Sequence, residues 1–277
     1  MPRRPVIPGY RLLDRLGGGP CCEVFAADPQ TLDEPVAIKT LKPEKAADPK
    51  ALTLLEREAR AAERVSHRHL IRILDRQLVA PPYFLVLELL PGQSAKVRVR
   101  SRGRLPLASA LAVARQVAEA LAALHAAGFI HGDVKSDNIR LVSASRAVLL
   151  DLGFAHAPGE HPGCGSKPAL MGTPNYMAPE LCTKFADDTA AADIFSLGVT
   201  LVELLTGKLP YPGGTAREVV QRRPTDGPAQ LLGDWPPGLP ELVATMTDPE
   251  PDRRPSAKRL VQKLIALQIL TMRKRAG

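Results

Sequence analysis

The sequence predicts an α+β protein of two lobes, in which a small antiparallel sheet with one helix precedes a larger, mainly α-helical lobe. Three observations favour this fold class. The chain has 277 residues, which is more than a single hydrophobic core usually supports. Its first 90 residues contain short apolar segments separated by glycine and proline turns. After Pro91 and Gly92, apolar residues recur instead with the period of amphipathic helices.

The first lobe, residues 10–90, is predicted to begin with an antiparallel meander. Its three strands are the segments YRLLDRLGGG, CEVFAAD and PVAIKTL, which are joined by a glycine turn and by a turn rich in aspartate and proline. A helical period follows over residues 50–66. Two more apolar segments on either side of the Pro81-Pro82 turn complete the predicted sheet.

Helices dominate the predicted second lobe, residues 91–268. The longest is an alanine-rich segment over residues 107–127, which Gly128 follows in the position of a helix C-cap. Further helical patterns cover residues 192–206, 215–222, 239–247 and 256–269. We assign residues 1–9 to an N-terminal extension and residues 269–277 to a basic C-terminal tail.

Composition predicts a globular protein of the cytoplasm. Apolar residues make up 45% of the chain, and the N-terminus is basic without the apolar segment of a secretory signal. No apolar run is expected to cross a bilayer, because Arg115, Glu119 and Glu203 interrupt the longest candidates. The four cysteines show neither zinc-site nor disulfide spacing, so reduced thiols are expected, with a redox switch near a nucleotide site as the alternative.

The formal net charge of +8 favours acidic protein substrates or partners over nucleic acid. Basic runs such as KVRVRSRGR are typical of solvated faces. Aromatic residues, on which bases would stack, make up only 4% of the chain, and no basic segment carries a known nucleic-acid-binding motif. We therefore expect no nucleic-acid partner.

A glycine turn joins the first two strands. Gly17, Gly19 and Val24 fit the pattern G-x-G-x-x-G-x-V, with Cys22 in place of the third glycine. Glycines allow the backbone to approach phosphate groups closely. The turn joins two antiparallel strands rather than a strand and a helix, which argues against a Rossmann dinucleotide site. By itself, the pattern is also typical of an ordinary hairpin.

A lysine on the third strand, Lys39 of VAIK, is predicted to reach phosphate oxygens. Strand alternation places it on the same face as Ala37. An ammonium group on a flexible stem needs a carboxylate to hold it in position. Of the glutamates on the following helix, Glu58 has apolar neighbours at helical spacing, so it is the predicted partner.

The segments IHGDVKSDN and AVLLDLG carry polar groups that suit phosphoryl transfer. This reaction needs positioning, neutralisation of charge and an acceptor for the proton of the attacking hydroxyl. Asp133 fits the proton acceptor, and Lys135 fits the stabilisation of the moving phosphate. Asn138 and Asp151 supply oxygen ligands of the kind that Mg²⁺ prefers. Each residue has an ordinary structural explanation when taken singly, whereas their joint spacing predicts a phosphotransferase.

Together these motifs resemble those of eukaryotic-type (Hanks-type) protein serine/threonine kinases, in particular the bacterial members. The glycine loop, VAIK, HGDVKSDN, DLG and APE occur in the order of the family signature. GTPNYMAPE, DIFSLG and RRPS are further matches, and the resemblance covers about residues 10–268. It implies the bilobal kinase fold, ATP as the phosphate donor, Mg²⁺ as the cofactor and a protein serine or threonine hydroxyl as the acceptor.

The resemblance also implies roles for individual residues at the nucleotide site. Lys39, paired with Glu58, would bind the α- and β-phosphates. Asn138 and Asp151 would hold Mg²⁺. Glu88 and Leu90 would bind adenine through their backbones, with Leu87 as the gatekeeper. The full set expected around the nucleotide is Leu16, Gly17, Gly19, Val24, Ala37, Lys39, Leu87, Glu88 and Leu90.

Further roles concern the second lobe. By resemblance, Asp133 is the catalytic base, and Lys135 and Thr173 match the serine/threonine pattern rather than the tyrosine pattern. Asp193 would brace the catalytic loop. Glu180 and Arg254 would form an ion pair that supports the helical lobe.

The sequence departs from the family at the residue before the catalytic aspartate. Gly132 replaces an arginine that receives an activation-loop phosphate in many relatives. Ser166 is the only hydroxyl residue between Gly153 and Gly172, so this loop offers little to phosphorylate before Thr173. These two features predict activity that does not depend on loop phosphorylation.

Two other functions stay open at this point. HGD followed five residues later by asparagine also begins the catalytic loop of small-molecule phosphotransferases such as aminoglycoside and choline kinases. Lys135, GTPNYMAPE and Arg254 favour a protein kinase over these enzymes. The second alternative is a pseudokinase that acts as a nucleotide-binding scaffold, which only the altered glycine loop favours.

Overall fold

A five-stranded antiparallel sheet with one helix precedes a mainly helical region, which is the α+β architecture that the sequence predicts. The computed structural model describes residues 5–30, 34–160, 173–183, 189–211 and 213–276. The strands of the sheet are β1 (Tyr10–Gly18), β2 (Cys22–Pro29), β3 (Val36–Leu41), β4 (Ile73–Gln77) and β5 (Phe84–Glu88). Their spatial order is β1-β2-β3-β5-β4.

Strand β3 lies at the centre of the sheet and has a different apolar cluster on each face. Val36 and Ile38 pack into a small cluster on one face. Ala37 and Leu41 pack into the main core on the other. This alternation is the period of an extended strand, and it directs Lys39 to the same face as Ala37. The lysine therefore emerges on the side of the sheet that faces the main core.

Helix α1 (Pro49–Arg64) packs against the sheet. The Asp48 side chain caps its first turn by accepting a hydrogen bond from the Lys50 backbone N–H at 3.1 Å. The residues that it buries are Ala51, Leu55, Glu58, Ala59 and Ala61. Glu58 is the only charged member of this buried stripe, so the helix carries one carboxylate towards the interior.

The second region contains six helices among the described residues. They are α2 (Ala95–Arg102), α3 (Leu107–Ala126), α4 (Ala190–Thr206), α5 (Ala216–Arg222), α6 (Leu239–Met246) and α7 (Ala257–Ala276). Helix α3 packs against α4 and α7, and α4 also contacts α6. A second, three-stranded sheet consists of β6 (Gln93–Ser94), β7 (Ile139–Leu141) and β8 (Ala147–Leu149).

Helix α2 and the small sheet are absent from the sequence predictions. Helix α2 covers part of the basic run KVRVRSRGR and buries only Ala95 and Val99, one turn apart. Two apolar positions are too few to establish a helical period against so many arginines. The strands of the small sheet have only two or three residues each, which is too short for a period to be visible.

Helix α3 corrects the expectation that no apolar run is long enough to cross a membrane. Among the described residues, one helix, Leu107–Ala126, is long enough and apolar enough to cross a membrane. Arg115 and Glu119 are only two charges in this apolar segment, so they do not take it below the length and composition of a span. Its most apolar window is 56% buried inside the protein, which is also typical of a core helix, so it is weak support for a membrane span.

Close packing between α4 and α6 depends on Gly198. A Cβ at this position would lie 2.7 Å from Thr247 Cγ2 and 2.9 Å from Met246 Cβ. These distances are shorter than van der Waals contact, so the absence of a side chain lets the two helices approach. Because α4 is buried along most of its length, it forms the centre of the helical lobe.

Candidate active site

A group of three charges lies where β3, α1 and the segment after β8 meet. Lys39 and Glu58 are largely buried, whereas the Asp151 side chain is 36% exposed. Lys39 Nζ donates hydrogen bonds to Glu58 Oε2 at 2.6 Å and to Asp151 Oδ1 at 2.7 Å. The pairing of Lys39 with Glu58 is the one expected from the pattern of α1. The same lysine also meets Asp151, the predicted metal ligand, although 112 residues separate them in the chain. Residues from both lobes thus converge on one ammonium group.

Burial and neighbouring charges shift the pKa of each member of this group. Burial would lower the pKa of Lys39, but Asp151 and Glu58 raise it above its usual value. Burial raises the pKa of Glu58, against the opposing effect of Lys39. Burial would also raise the pKa of Asp151, but the charge and hydrogen bond of Lys39 lower it to about 2. Asp151 is therefore ionised at neutral pH, as a cation ligand must be.

Asp151 also has an unusual backbone. Its φ of 62° is positive, and no other non-glycine residue in the described part of the chain shares this feature. The Gly153 N–H donates to Asp151 Oδ1 at 3.3 Å and holds the side chain. Strained backbone of this kind is concentrated at functional sites, because the surrounding structure must maintain it.

A second cluster surrounds the Asp133 carboxylate. Asp133 Oδ2 accepts hydrogen bonds from Lys135 Nζ at 2.6 Å and from Asn138 Nδ2 at 2.9 Å. Thr173 Oγ1 accepts from Lys135 Nζ at 2.7 Å and lies 3.4 Å from Asp133 Oδ1. The structure thus brings Asp133, Lys135 and Asn138 together as the sequence predicts. Among the described residues, Oδ1 has only the long contact with Thr173, so it retains the capacity to accept a hydroxyl proton.

Asp193 of α4 holds the loop that carries this carboxylate. Its Oδ2 accepts from the His131 backbone N–H and from His125 Nε2, both at 2.8 Å, and its Oδ1 accepts from the Gly132 N–H at 2.9 Å. Burial would raise the pKa of Asp193, but these hydrogen bonds keep it below its usual value. Asp193 contacts the catalytic loop in the manner expected of a brace.

His131 connects the two clusters through the backbone. Its Nδ1 accepts from the Asp133 N–H at 3.2 Å, so its Nε2 carries the proton and donates to the Leu150 carbonyl at 3.1 Å. Leu150 directly precedes Asp151. One buried imidazole therefore bridges the segment that carries Asp133 and the segment that carries Asp151.

Gly132 has a local reason to be glycine. Its φ is 79°, and a Cβ there would lie 3.0 Å from the Phe154 carbonyl oxygen and 3.3 Å from Phe154 Cβ. A side chain would be strained by the backbone and crowded by the segment after DLG. The departure from the family pattern thus coincides with a close approach of two loops.

The residues near Asp133 and Asp151 fit a magnesium ion. The amide nitrogen of Asn138 donates to the backbone and side chain of Asp133, which leaves its amide oxygen to act as a ligand. Within the described ranges, no group of three or more histidine, cysteine, aspartate or glutamate residues is arranged to hold a metal. Mg²⁺ commonly takes only one or two protein oxygens and completes its shell with water and substrate phosphates. The donor set of Asn138 and Asp151 has this character.

The glycine loop is the β1–β2 turn. Gly17 lies opposite Val24 in the sheet, and the Gly19 N–H donates to the Cys22 carbonyl at 2.9 Å. A Cβ added at Gly17 or Gly19 would meet no atom within 4 Å, so the space beside both residues is open. Leu16, at the edge of this turn, is 44% exposed.

Cys22 is buried at the start of β2. Burial raises the pKa of its thiol to about 12. The thiolate is the reactive form of cysteine, so a thiol with this pKa is poorly suited to redox chemistry. This observation favours reduced, unreactive Cys22 over the redox switch that the sequence left as an alternative.

The predicted adenine-binding residues follow the end of β5. Leu87 is buried opposite Ala37, and Glu88 ends the strand opposite Val36. The Leu90 carbonyl accepts a hydrogen bond from Arg140 Nη2 at 3.1 Å.

Sequence reasoning missed Arg140. Its Nε also donates to the Pro91 carbonyl at 3.2 Å, so β7 is tied to the segment that joins the lobes. The available signal was a charged residue inside the apolar segment that follows Asn138, between Ile139 and Leu141. Its partners are backbone carbonyls about 50 residues away, which no local pattern reveals.

A bidentate ion pair supports the helical lobe. Arg254 Nη1 and Nη2 donate to Glu180 Oε1 and Oε2 at 2.6 and 2.8 Å. Arg254 also donates to the carbonyls of Ala191, Asp248 and Pro249. The ion pair expected between Glu180 and Arg254 is therefore present, with the guanidinium inaccessible to solvent.

A further polar anchor was not anticipated. Tyr176 of GTPNYMAPE donates its hydroxyl to Glu203 Oε2 at 2.6 Å, and Lys96 forms an ion pair with the same carboxylate. Burial and the neighbouring Glu203 raise the pKa of Tyr176. Glu203 is one of the charges that interrupt an apolar run of the sequence, and its burial in α4 requires these partners. Ser166, in the preceding segment, lies outside the described residues.

Comparison with known proteins identifies the family. The family described as "Protein kinase domain" matches residues 10–265. The chain belongs to this family, and the resemblance and fold class predicted from the sequence are confirmed. Membership implies ATP as the phosphate donor, typically with Mg²⁺.

The relatives are bacterial serine/threonine-protein kinases. PknD of Mycobacterium tuberculosis is 34% identical over 241 residues, which cover 85% of this chain and 36% of PknD. PkwA of Thermomonospora curvata, a probable serine/threonine-protein kinase, is 34% identical over 267 residues, or 95% of this chain and 35% of PkwA. PkaA of Streptomyces coelicolor is 33% identical over 280 residues, or 94% of this chain and 50% of PkaA. The chain thus spans between about a third and half of these relatives' length.

Proposed function

We propose that the chain is an active kinase that transfers the γ-phosphate of ATP to a serine or threonine hydroxyl of a protein. The observation that carries this proposal is the convergence of charges from distant parts of the chain into two clusters that the His131 imidazole links. Lys39 meets both Glu58 and Asp151, while Lys135 and Asn138 meet Asp133. The names of the bacterial relatives support the same activity.

Each residue has a separate task in the proposed reaction. Lys39, held by Glu58, binds the α- and β-phosphates. Asn138 and Asp151 would hold Mg²⁺, which would neutralise charge on the phosphates. The substrate hydroxyl oxygen forms a bond to the γ-phosphorus as the bond from that phosphorus to ADP breaks. Asp133 receives the hydroxyl proton at Oδ1, the carboxylate oxygen that Lys135 and Asn138 do not contact.

Lys135 completes the set because it lies between the proposed base, Asp133, and Thr173. Its ammonium contacts the Asp133 carboxylate and the Thr173 hydroxyl. In this position it stabilises negative charge on the moving phosphoryl group. It also keeps the Asp133 carboxylate oriented while the proton is transferred.

The activity is tested by the transfer of labelled phosphate from ATP to generic acidic and basic proteins. Asp133→Asn is expected to lower the rate by about 10²- to 10⁴-fold, the usual contribution of a positioned base, while nucleotide binding persists. Asp137→Asn is the matched control, because Asp137 belongs to the same loop and is exposed. Undiminished transfer by Asp133→Asn would contradict the assignment.

The same assay separates the alternatives. A nucleotide-binding scaffold would bind ATP without transfer in the wild type. A small-molecule phosphotransferase would label an alcohol of low molecular weight and leave proteins unlabelled. The Thr173 contact with Lys135 and the Tyr176 contact with Glu203 tie GTPNYMAPE to the catalytic loop and to α4, which favours a protein acceptor.

We also propose that the activity does not depend on phosphorylation of the loop before Thr173. Gly132 carries no charged side chain, so a phosphate on this loop would lack its usual receptor. The positive φ of Gly132 and its close approach to Phe154 disfavour a side chain there. The test compares Ser166→Ala with the wild type after phosphatase treatment. Equal initial rates are expected, and a large loss in the variant would contradict the proposal.

Acidic substrates and a cytoplasmic location complete the proposal. The net charge of +8 supports an attraction for acidic segments. Peptides that differ only in acidic or basic residues around one serine are expected to show higher kcat/KM for the acidic series at low salt. Cell fractionation with an antibody against this chain tests its location.

A further inference from the structure

Helix α1 has a second connection to the segment that follows Asp151. Arg60 Nη1 and Nη2 donate to Glu160 Oε1 and Oε2 at 3.2 and 2.6 Å. Glu160 Oε2 also accepts from the Ala157 backbone N–H at 3.2 Å, which orients the carboxylate within its own loop. The hydrogen bond from Arg60 lowers the pKa of Glu160, so the carboxylate is ionised at neutral pH. The bidentate geometry makes this contact directional.

The position of Arg60 on α1 gives the contact a consequence for the active site. Arg60 lies two residues after Glu58, so the two side chains leave different faces of the helix. Glu58 contacts β3 through Lys39, whereas Arg60 contacts the loop after DLG and lies 5.9 Å from the centroid of the Phe129 ring in the second lobe. A rotation of α1 that separates Glu58 from Lys39 also breaks the contact with Glu160.

We infer that Arg60 and Glu160 are positioning residues. The permanent negative charge of Glu160 holds Arg60, and thereby holds α1 in the position where Glu58 meets Lys39. This inference rests on the proposed independence from loop phosphorylation and gives it a physical basis. A phosphate orders a loop by pairing with arginine. Glu160 supplies a permanent negative charge to an arginine of α1, while Gly132 offers no receptor near Asp133.

Solvent limits the size of the effect. The side chains of Arg60 and Glu160 are 43% and 42% exposed. Pairs with this exposure contribute little to overall stability and weaken as salt increases. We therefore expect changes in kcat of about two- to fivefold rather than complete loss.

The contact has a matched control on the same helix. Glu63 of α1 forms an ion pair with Arg76 of β4, which lies within the first lobe. Arg76→Gln removes one exposed arginine and one ion pair of α1, as Arg60→Gln does, but leaves the connection to the second lobe intact. A general effect of charge or helix stability would therefore appear equally in both variants.

The experiment measures kcat and KM for ATP in Arg60→Gln, Glu160→Gln, their double variant, Glu160→Asp and Arg76→Gln. We expect a two- to fivefold lower kcat in each of the first two, no further loss in the double variant, and partial recovery in Glu160→Asp. Arg76→Gln is expected to retain the wild-type kcat. Wild-type kcat should fall towards that of the variants at about 1 M salt.

Hydrogen exchange of the α1 backbone provides a readout that does not require activity. We expect hydrogen exchange over residues 49–64 to be faster in Arg60→Gln than in Arg76→Gln. Equal exchange and equal kcat in these two variants, or additive losses in the double variant, would overturn the inference. An inactive wild type would refute the proposed kinase function, and an inactive Ser166→Ala variant would refute independence from loop phosphorylation. Neither result can be confused with failure of the Arg60 inference, which is judged by comparing Arg60→Gln with Arg76→Gln.

Discussion

The two lobes hold their charged groups in different ways. In the helical lobe, Asp193 and Arg254 are almost completely buried and each makes several hydrogen bonds around α4. In the first lobe, the charged contacts of α1 include one buried pair, Lys39 with Glu58, and exposed pairs such as Arg60 with Glu160. Buried anchors suit a catalytic loop of fixed geometry, whereas exposed charge pairs hold a helix more weakly.

Loss of Arg254 is expected to have the largest effect on the helical lobe. Arg254→Ala leaves the partly buried Glu180 carboxylate without its bidentate partner and removes donors from three backbone carbonyls. Removal of one partner from a buried pair typically costs about 3–5 kcal/mol. Urea unfolding should therefore show a much lower midpoint. A loss below about 1 kcal/mol, within the range of exposed pairs, would remove the contrast between the lobes.

Glycine substitutions compare the packing of the two lobes. Gly198→Ala places a methyl group less than 3 Å from Thr247 and Met246, so we expect a loss of about 1–3 kcal/mol from overpacking. Gly19→Ala is the matched substitution in the glycine loop, where the added Cβ meets no atom within 4 Å. Thermal or urea unfolding should show a change within about 0.5 kcal/mol for Gly19→Ala. Equal losses would contradict the packing argument.

Acid is expected to weaken the contact between the lobes at Asp151. The folded-state pKa of Asp151 is about 2, against a reference value of 3.8. Because the folded pKa is lowered, the stabilisation is present above 3.8 and is lost as the pH falls from about 4 towards 2. In Asp151→Asn, this pH-dependent part of the unfolding free energy should disappear. The measurement is urea unfolding of both proteins between pH 5 and 3, and parallel curves would contradict the expectation.

The sequence predicted the parts of the site that depend on local patterns. Strand alternation identified the face of Lys39, and helical spacing singled out Glu58 among three glutamates. The contact of Arg140 with the Leu90 and Pro91 carbonyls was missed, as was that of Arg60 with Glu160. These contacts join residues that are 49 to 100 positions apart. An arginine that binds a distant backbone has the same local pattern as one on a solvated surface.

The smallest expected effect concerns Cys22, where the family usually has glycine. Its thiol is buried at the start of β2, and the charges of Lys39, Glu58 and Asp151 act on its pKa, so the side chain lies near the predicted phosphate site. Cys22→Gly is expected to lower the KM for ATP about twofold, because more backbone becomes accessible to phosphates.

Cys21→Gly controls for the general effect of a glycine in this turn, since Cys21 is less buried than its neighbour. Cys22→Gly should also cost about 0.5–1 kcal/mol of stability, as glycine does in a strand. Steady-state kinetics at varied ATP concentration provide the comparison. If the KM for ATP is the same in the wild type and Cys22→Gly, the thiol does not restrict the nucleotide. The open side of the loop at Gly17 and Gly19 would then be sufficient for phosphate binding.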